Sequence, residues 1–210
     1  MLSGIGNDIV DWRSPGNAGK SRDYRYLKKI LTDVEIEFVR KSRNSDRALW
    51  LLWSCKETAY KVIAKSDARA PFVPRCWSVR LNKPDCVFAK GEVLLPDCKV
   101  VFVQLYSSQE YVHCTGADNL ADLNKAIWGI ELLPESACGI DVEPSLFVRE
   151  CLFRRLADIY SLNNRKMEIR RAKKGHELQP PVLCYENKKA PFDISLSHDE
   201  RFIAYAFRRL

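Results

Sequence analysis

A carboxylate and an ammonium stand one helical turn apart at Glu57 and Lys61, inside Trp53-Ser-Cys-Lys-Glu-Thr-Ala-Tyr-Lys61, a run with few helix breakers. Two further segments carry residue types able to do chemistry. The chain opens with Gly4-Ile-Gly-Asn-Asp-Ile-Val-Asp11, which contains Asp8, and closes with Asp193-Ile-Ser-Leu-Ser-His-Asp-Glu-Arg-Phe-Ile-Ala-Tyr-Ala206, which contains Ser197 and His198. Taken singly, each has a bland reading. Glu57 before Lys61 also makes a surface pair worth about 0.3–0.5 kcal/mol. Asp8 can end a strand, and His198 can cap a hairpin turn. Only the order and spacing of all three segments favour a shared site. His113 alternates with Tyr111 and Thr115 in a strand pattern and reads as structural, while His176 carries no signal.

The elements that must position these residues follow from periodicity. Residues 4–10 predict a short strand, and residues 23–30 and 33–42 predict helices, the second with Thr32 as N-cap and Glu35 at N3. A long helix is expected from Asp46 to Lys65. On its wheel Leu51, Leu52, Cys55, Ala59, Val62 and Ile63 share one face. Glu57 and Lys61 lie nearly opposite, flanked by Trp50 and Trp53, so another lobe or a ligand is expected to cover that side as well. Strands are predicted at 76–81, 86–94 and 100–106, and a turn at 107–110 leads into 111–115. Residues 116–137 read as a connector with one more strand or short helix. A basic helical region is expected over 146–174, broken near Asn163-Asn164, and Pro180-Pro181 precedes a final hairpin. Two echoes suggest duplication: Leu105-Tyr-Ser-Ser-Gln-Glu-Tyr-Val with Leu196-Ser-His-Asp-Glu-Arg-Phe-Ile, and Gly139-Ile-Asp-Val-Glu143 with Gly6-Asn-Asp-Ile-Val10.

Composition narrows the class. At 210 residues, 46% hydrophobic and 29% charged, the chain suits one large domain or two small lobes. No apolar run reaches the length of a membrane span, and the early Asp8 and Asp11 do not fit a secretory signal, so a cytoplasmic protein is expected. The eight cysteines are scattered without a C-x-x-C pair and read as reduced, mostly buried thiols. A net charge of +7 suits nucleic acid, anionic lipid or an acidic protein. No zinc-finger or RNA-binding aromatic signature accompanies the basic clusters at 22–47 and 165–174, which disfavours nucleic acid.

Together, Gly-x-Asp at Gly6–Asp8, Trp-x-x-Lys-Glu-x-x-x-Lys at Trp53–Lys61 and Ser-x-Ser-His at Ser195–His198 resemble the 4′-phosphopantetheinyl transferases. The first half is similar to the small, single-lobe holo-acyl-carrier-protein synthases, but the length is that of the fused, surfactin-type members. In those the Ser-His segment comes first; here it comes last, as though the lobes were in reverse order. The resemblance implies an α+β fold of two pseudo-duplicated lobes, residues 1–117 and 118–210, each a long helix on a small, mainly antiparallel sheet. It implies transfer of phosphopantetheine from coenzyme A to a serine of an acyl or peptidyl carrier protein, leaving 3′,5′-adenosine diphosphate.

That reaction asks for a hard divalent ion, Mg2+, held by carboxylates, with water and phosphate oxygens completing its shell. The resemblance gives Asp8 and Glu57 to the metal, with Glu57 as base and Lys61 on the pyrophosphate. It gives His198, Ser197, Arg75 and Lys56, besides Lys61, to coenzyme A, and Lys28 and Lys29 to docking of an acidic carrier protein. A monomer acting as a pseudo-dimer is expected. The first motif lacks the second acid of the surfactin type's Asp-Val-Glu, which recurs at Asp141–Glu143 as an expected degenerate second lobe. Asp199 and Glu200 put acid beside a histidine meant for phosphate. A family member that binds carrier protein or coenzyme A without transfer is the alternative; a basic nucleic-acid-binding module is another.

Overall fold

The computed structural model describes residues 4–96, 98–134, 142–174 and 177–210. Strand β1 (Ile5–Val10) is buried along its whole length and pairs antiparallel with β5 (Val112–Ala117), placing Gly6 opposite Gly116 and Asp8 opposite Cys114. The sheet continues through β4 (Val100–Ser107) and β3 (Phe88–Leu94) to β2 (Ser78–Asn82), in the order β1-β5-β4-β3-β2. Two short helices, α1 (Tyr24–Ile30) and α2 (Asp33–Lys41), precede the long α3 (Ser45–Ser66). Thr32 and Glu35 form the expected capping box at the start of α2.

The apolar face of α3 lies where the wheel puts it, with Leu51, Leu52, Cys55, Ala59 and Val62 all buried against the sheet. The cover over the tryptophans differs from the expectation. Trp50 donates from Nε1 to the Asn17 carbonyl at 3.1 Å and packs on Tyr26, and Trp53 meets Phe72 edge-on. Segments close in sequence cover them, so they are not the floor of a cleft between lobes.

A second core gathers on α5 (Pro144–Tyr160) and the sheet β12-β13-β6. After β5 come α4 (Leu120–Lys125) and β6 (Ile127–Leu132), so the connector holds a helix and a strand. The predicted basic helix stops early. Ser161 turns left-handed at φ 54°, and Met167-Glu-Ile-Arg170 becomes β7, whose alternation of buried Met167 and Ile169 with exposed Glu168 and Arg170 is a strand's period of two. The two-stranded β8 (Lys173–Lys174) and β9 (Glu177–Leu178) lead to β10 (Val182–Tyr185), which pairs with β7 and with β11 (Lys188–Lys189). The chain ends in a long hairpin, β12 (Phe192–Asp199) and β13 (Phe202–Arg209), with β6 antiparallel to β13. The fold is therefore α+β. The 105–112 and 196–203 echo falls on two such hairpins, β4–β5 and β12–β13. Of the other echo, Gly139–Asp141 lie outside the described residues, and Glu143 holds the N-cap position of α5.

Four of the seven described cysteines are buried (Cys55, Cys114, Cys151, Cys184), while Cys76, Cys86 and Cys98 are exposed, and all seven are free thiols. Among the described residues no helix is long and apolar enough to cross a membrane.

One close approach sets the distance between α3 and β1. A Cβ placed on Gly6 would lie 2.4 Å from the Thr58 carbonyl oxygen, and one on Gly116 would lie 2.7 Å from Thr58 Cγ2. The two glycines face each other across the strand pair and form a notch that takes the Thr58 turn. Gly6→Ala should accordingly lower stability by about 1–3 kcal/mol, the usual cost of overpacking a rigid contact. Gly16→Ala, whose Cβ meets only Glu200 Oε1 at 3.6 Å, should change it by less than about 0.5 kcal/mol. Equal unfolding midpoints in urea for both variants would mean that α3 is not held by this notch.

Candidate active site

The polar groups of α3 run in register with β1. Four helical residues rise about 6 Å and two strand residues about 6.7 Å, so side chains at i and i+4 of α3 can meet every second residue of the strand. Lys65 Nζ donates to the Ile5 carbonyl at 2.6 Å, and Lys61 Nζ donates to the Asn7 carbonyl at 2.8 Å and to Asp8 Oδ1 at 2.9 Å. Glu57 stands one turn further on, half-buried, and no hydrogen bond or salt bridge reaches its carboxylate among the described residues.

Burial dominates the electrostatics. It raises the pKa of Asp8, against the charge and hydrogen bond of Lys61 and the Ile9 N–H, which hold it down. Burial and then the neighbouring Asp8 push Glu57 up from 4.5 to about 7, with Lys61 opposing. Two carboxylates that each resist ionisation are a donor set that a divalent cation would relieve. Among the described residues no group of three or more His, Cys, Asp and Glu side chains could hold a metal. The fit is therefore to an ion that takes one or two carboxylates and keeps several other oxygen ligands, as Mg2+ does.

A cleft of about 550 Å³ adjoins this pair. It is lined by Asp8, Tyr60, Lys61 and Lys65 from the side of the first core and by Val148, Arg149, Arg171, Pro180-Pro181, Ser197 and His198 from the side of the second. Glu57 lies a turn beyond the lining residues. The two ends of the chain thus meet along one cavity. They are joined by β12 side chains rather than by a backbone ladder: Asp193 Oδ2 accepts from Ile5 N–H at 2.5 Å, Ser195 Oγ from Asn7 N–H at 2.9 Å, and Asp199 Oδ2 from Asp11 N–H at 2.8 Å. Ser197 Oγ accepts from Asn7 Nδ2 at 2.9 Å. Of the Ser-x-Ser-His segment, the two serines are spent on this joint and His198 alone is an exposed side chain at the cleft. Its pKa is lowered by burial, then by Lys61 and Arg171, while Glu143 raises it. The neighbouring acids do not face a phosphate: Asp199 is bound to Asp11 N–H and Asn17 Nδ2, and Glu200 lies by Gly16.

Other expected contacts lie elsewhere. Lys56 is not at the cleft. Its ammonium is fully buried on another face of α3, where it donates to Glu35 Oε2 at 2.6 Å and to the Ile30 and Pro74 carbonyls. Arg75 is exposed beside Pro74 and does not line the cavity. Lys28 and Lys29 are exposed in the last turn of α1, with the Lys28 ammonium over the Tyr24 ring. Asp141 and His176 lie outside the described residues; Glu143 is exposed and accepts from Ser145 Oγ. His113 is buried beside Asn7, and burial lowers its pKa to about 3. Lys65 is the residue that the sequence reading passed over. Besides the Ile5 carbonyl it donates to Asp193 Oδ1 and the Ile194 carbonyl, tying α3, β1 and β12 at one point. Its i+4 spacing from Lys61 was the available signal.

The raised pKa of Glu57 has a stability consequence whose sign is fixed. The native state holds this proton more tightly than the unfolded chain, so folding is penalised increasingly as pH rises from about 4.5 to about 7 and constantly above that. In metal-free buffer, Glu57→Gln should gain stability relative to wild type across this window. Denaturant titrations at several pH values give the difference directly; a flat difference would mean that Glu57 ionises normally in the folded protein.

Residues 4–93 match the family model of the 4′-phosphopantetheinyl transferase superfamily. That stretch runs from β1 into β3 and contains Asp8, Glu57 and Lys61. A search of the curated proteins gave no match. The match supports a phosphopantetheinyl-transferase-type function.

Proposed function

We propose that the protein transfers 4′-phosphopantetheine from coenzyme A to a serine hydroxyl of an acyl or peptidyl carrier protein, with Mg2+ as the metal. The observation that carries this reading is the alignment of Asp8, Glu57 and Lys61 beside a cleft whose opposite wall brings in His198. A divalent ion held by Asp8 and Glu57 would neutralise the pyrophosphate of the donor. Glu57, with a pKa near 7, suits a general base that removes the proton of the attacking serine. As the serine oxygen bonds to phosphorus, the phosphoanhydride bond breaks and 3′,5′-adenosine diphosphate leaves with the electron pair. Lys61, already half-exposed at the cleft, is placed to balance the charge on that leaving group. Residues of both cores of one chain line the cleft, which supports an active monomer, and the like order β1-β5-β4 and β6-β13-β12 supports two lobes related by duplication.

Two lysines five residues apart separate site from scaffold. Lys61→Met should abolish transfer, measured by mass spectrometry of an apo carrier protein, while costing only about 1–2 kcal/mol of stability. Lys56→Met should cost about 3–5 kcal/mol by stranding Glu35 in the core, yet leave transfer per folded molecule intact. The reverse pattern would remove Lys61 from the site. Metal binding has its own readout: saturating Mg2+ should raise the melting temperature of wild type but not of Asp8→Ala.

Docking of an acidic carrier protein is the role proposed for the exposed Lys28 and Lys29. Reversing both to glutamate should raise KM for carrier protein several-fold and weaken its salt dependence, leaving KM for coenzyme A unchanged. Equal changes in both constants would place the docking face elsewhere.

A further inference from the structure

In the like orders β6-β13-β12 and β1-β5-β4, strand β6 holds the place of β1, yet β1 is buried throughout and β6 is half-buried or exposed at every residue. Among the described residues β6 pairs with β13 alone. The register shows which of its backbone groups point outward. Leu133 N–H donates to the Arg201 carbonyl at 2.8 Å, and these two residues stand opposite each other in the β6–β13 register. Hydrogen-bonded positions alternate in an antiparallel pair, so Glu131, Gly129 and Ile127 turn their N–H and carbonyl groups toward β13. Trp128, Ile130 and Leu132 turn theirs outward, where no described strand meets them. Such an edge is a template for another strand.

Beside this edge lies a groove of about 410 Å³, lined by residues 128–131 of β6, by Arg154, Arg155 and Asp158 of α5, and by Tyr205. Tyr205 stands opposite Gly129 and crosses over it: a Cβ on Gly129 would lie 2.4 Å from the Tyr205 hydroxyl oxygen. The tyrosine is only 5% exposed, and no hydrogen bond reaches its hydroxyl among the described residues. No salt bridge reaches Glu131, Arg154, Arg155 or Asp158 among those residues either, although the groove holds both signs of charge. Arg154 donates instead to Cys151 Sγ at 3.0 Å.

We propose that β6 pairs antiparallel with β6 of a second copy of this chain, about a two-fold axis at Ile130. This register uses all three outward-facing residues: Ile130 meets Ile130, and Trp128 meets Leu132, whose side chain is 59% exposed in the single chain. An axis at Glu131 would set that carboxylate against its own copy, and an axis at Gly129 would leave Leu132 beyond the end of the partner strand. With the axis at Ile130, Glu131 of one copy stands opposite Gly129 of the other, a position with no side chain of its own. The carboxylate then enters the other copy's groove, where the Tyr205 hydroxyl and the two guanidiniums can donate to it. Each contact occurs twice, as an isologous interface requires. Helix α5 packs over β12 and β13, inward from this edge, which leaves room for the added strand. The groove and the cleft share no lining residue, so each copy keeps its own cleft and the proposal does not depend on the transferase reading.

Sedimentation velocity of the whole protein over a concentration series should show a monomer–dimer equilibrium with a midpoint below about 100 µM. Glu131→Arg and Arg154→Glu/Arg155→Glu, each checked by its melting temperature, should weaken self-association at least about tenfold, because each sets like charges together. Mixed in equal amounts, the two variants should form a heterodimer, since both contacts are then between opposite charges. Amide exchange followed by NMR reads the register. Trp128, Ile130 and Leu132 should gain protection as concentration rises, while Gly129 and Glu131 should be protected at every concentration. A wild type that stays monomeric throughout the series would overturn the proposal and leave the edge to a strand of a different protein. Dimerisation unmoved by either charge reversal, or variants that fail to associate on mixing, would overturn it as well.

Discussion

The open edge of β1 is the constraint from which the site follows. A strand that pairs on one side only leaves every second residue with a backbone N–H and a carbonyl unclaimed, and in a buried strand each must find a partner. Here the carbonyls of Ile5 and Asn7 go to Lys65 and Lys61 of α3, and the amides of Ile5, Asn7 and Asp11 go to Asp193, Ser195 and Asp199 of β12. Each amide and its acceptor are 188 residues apart, so β12 runs alongside β1 in parallel, two residues for two. A one-residue slip of β12 would turn its polar acceptors away from β1 and present apolar side chains in their place. The relation between the two cores is therefore specified to the residue.

Commensurate spacing then places the chemistry. Lysines four apart on α3 satisfy carbonyls two apart on β1, and Glu57 is the next position of the same series, where Asp8 faces it instead of a free carbonyl. This works only because α3 lies unusually close to the strand, which the Gly6–Gly116 notch under Thr58 allows. A larger residue at either position would lift the helix and lengthen the Lys61 bonds. Backbone satisfaction, helix seating and site geometry are one arrangement seen three ways.

Charged side chains gather at the cleft. Burial pushes Asp8 and Glu57 toward protonation. Asp8 and Lys61 line the cleft together with Arg149 and Arg171. Burying charged groups costs stability, and the fold offsets that cost elsewhere. The capping box of α2 and the buried Lys56–Glu35 pair fix the helices, while the two apolar cores supply the bulk of the burial.

What the sequence determined by itself was local chemistry. The capping box at Thr32 and Glu35, the span and apolar face of α3, and the strands of the first sheet were legible because each rests on neighbours within a few residues. The Asp8, Glu57 and Lys61 grouping was legible from spacing and resemblance. Tertiary structure decided the rest, because it depends on partners far apart in the chain. Met167–Arg170 looked helical as a continuation of a basic run, yet it alternates in burial against β10 and is a strand. Trp50 and Trp53 looked like cleft walls, but Asn17, Tyr26 and Phe72 reach them first. Lys56 and Lys61 are both lysines of one helix, and composition could not tell them apart. Their different angles around α3 send one ammonium to Glu35 in the interior and the other to Asp8 at the cleft, and only the packing of that helix between α2 and β1 buries the first and leaves the second at the cleft.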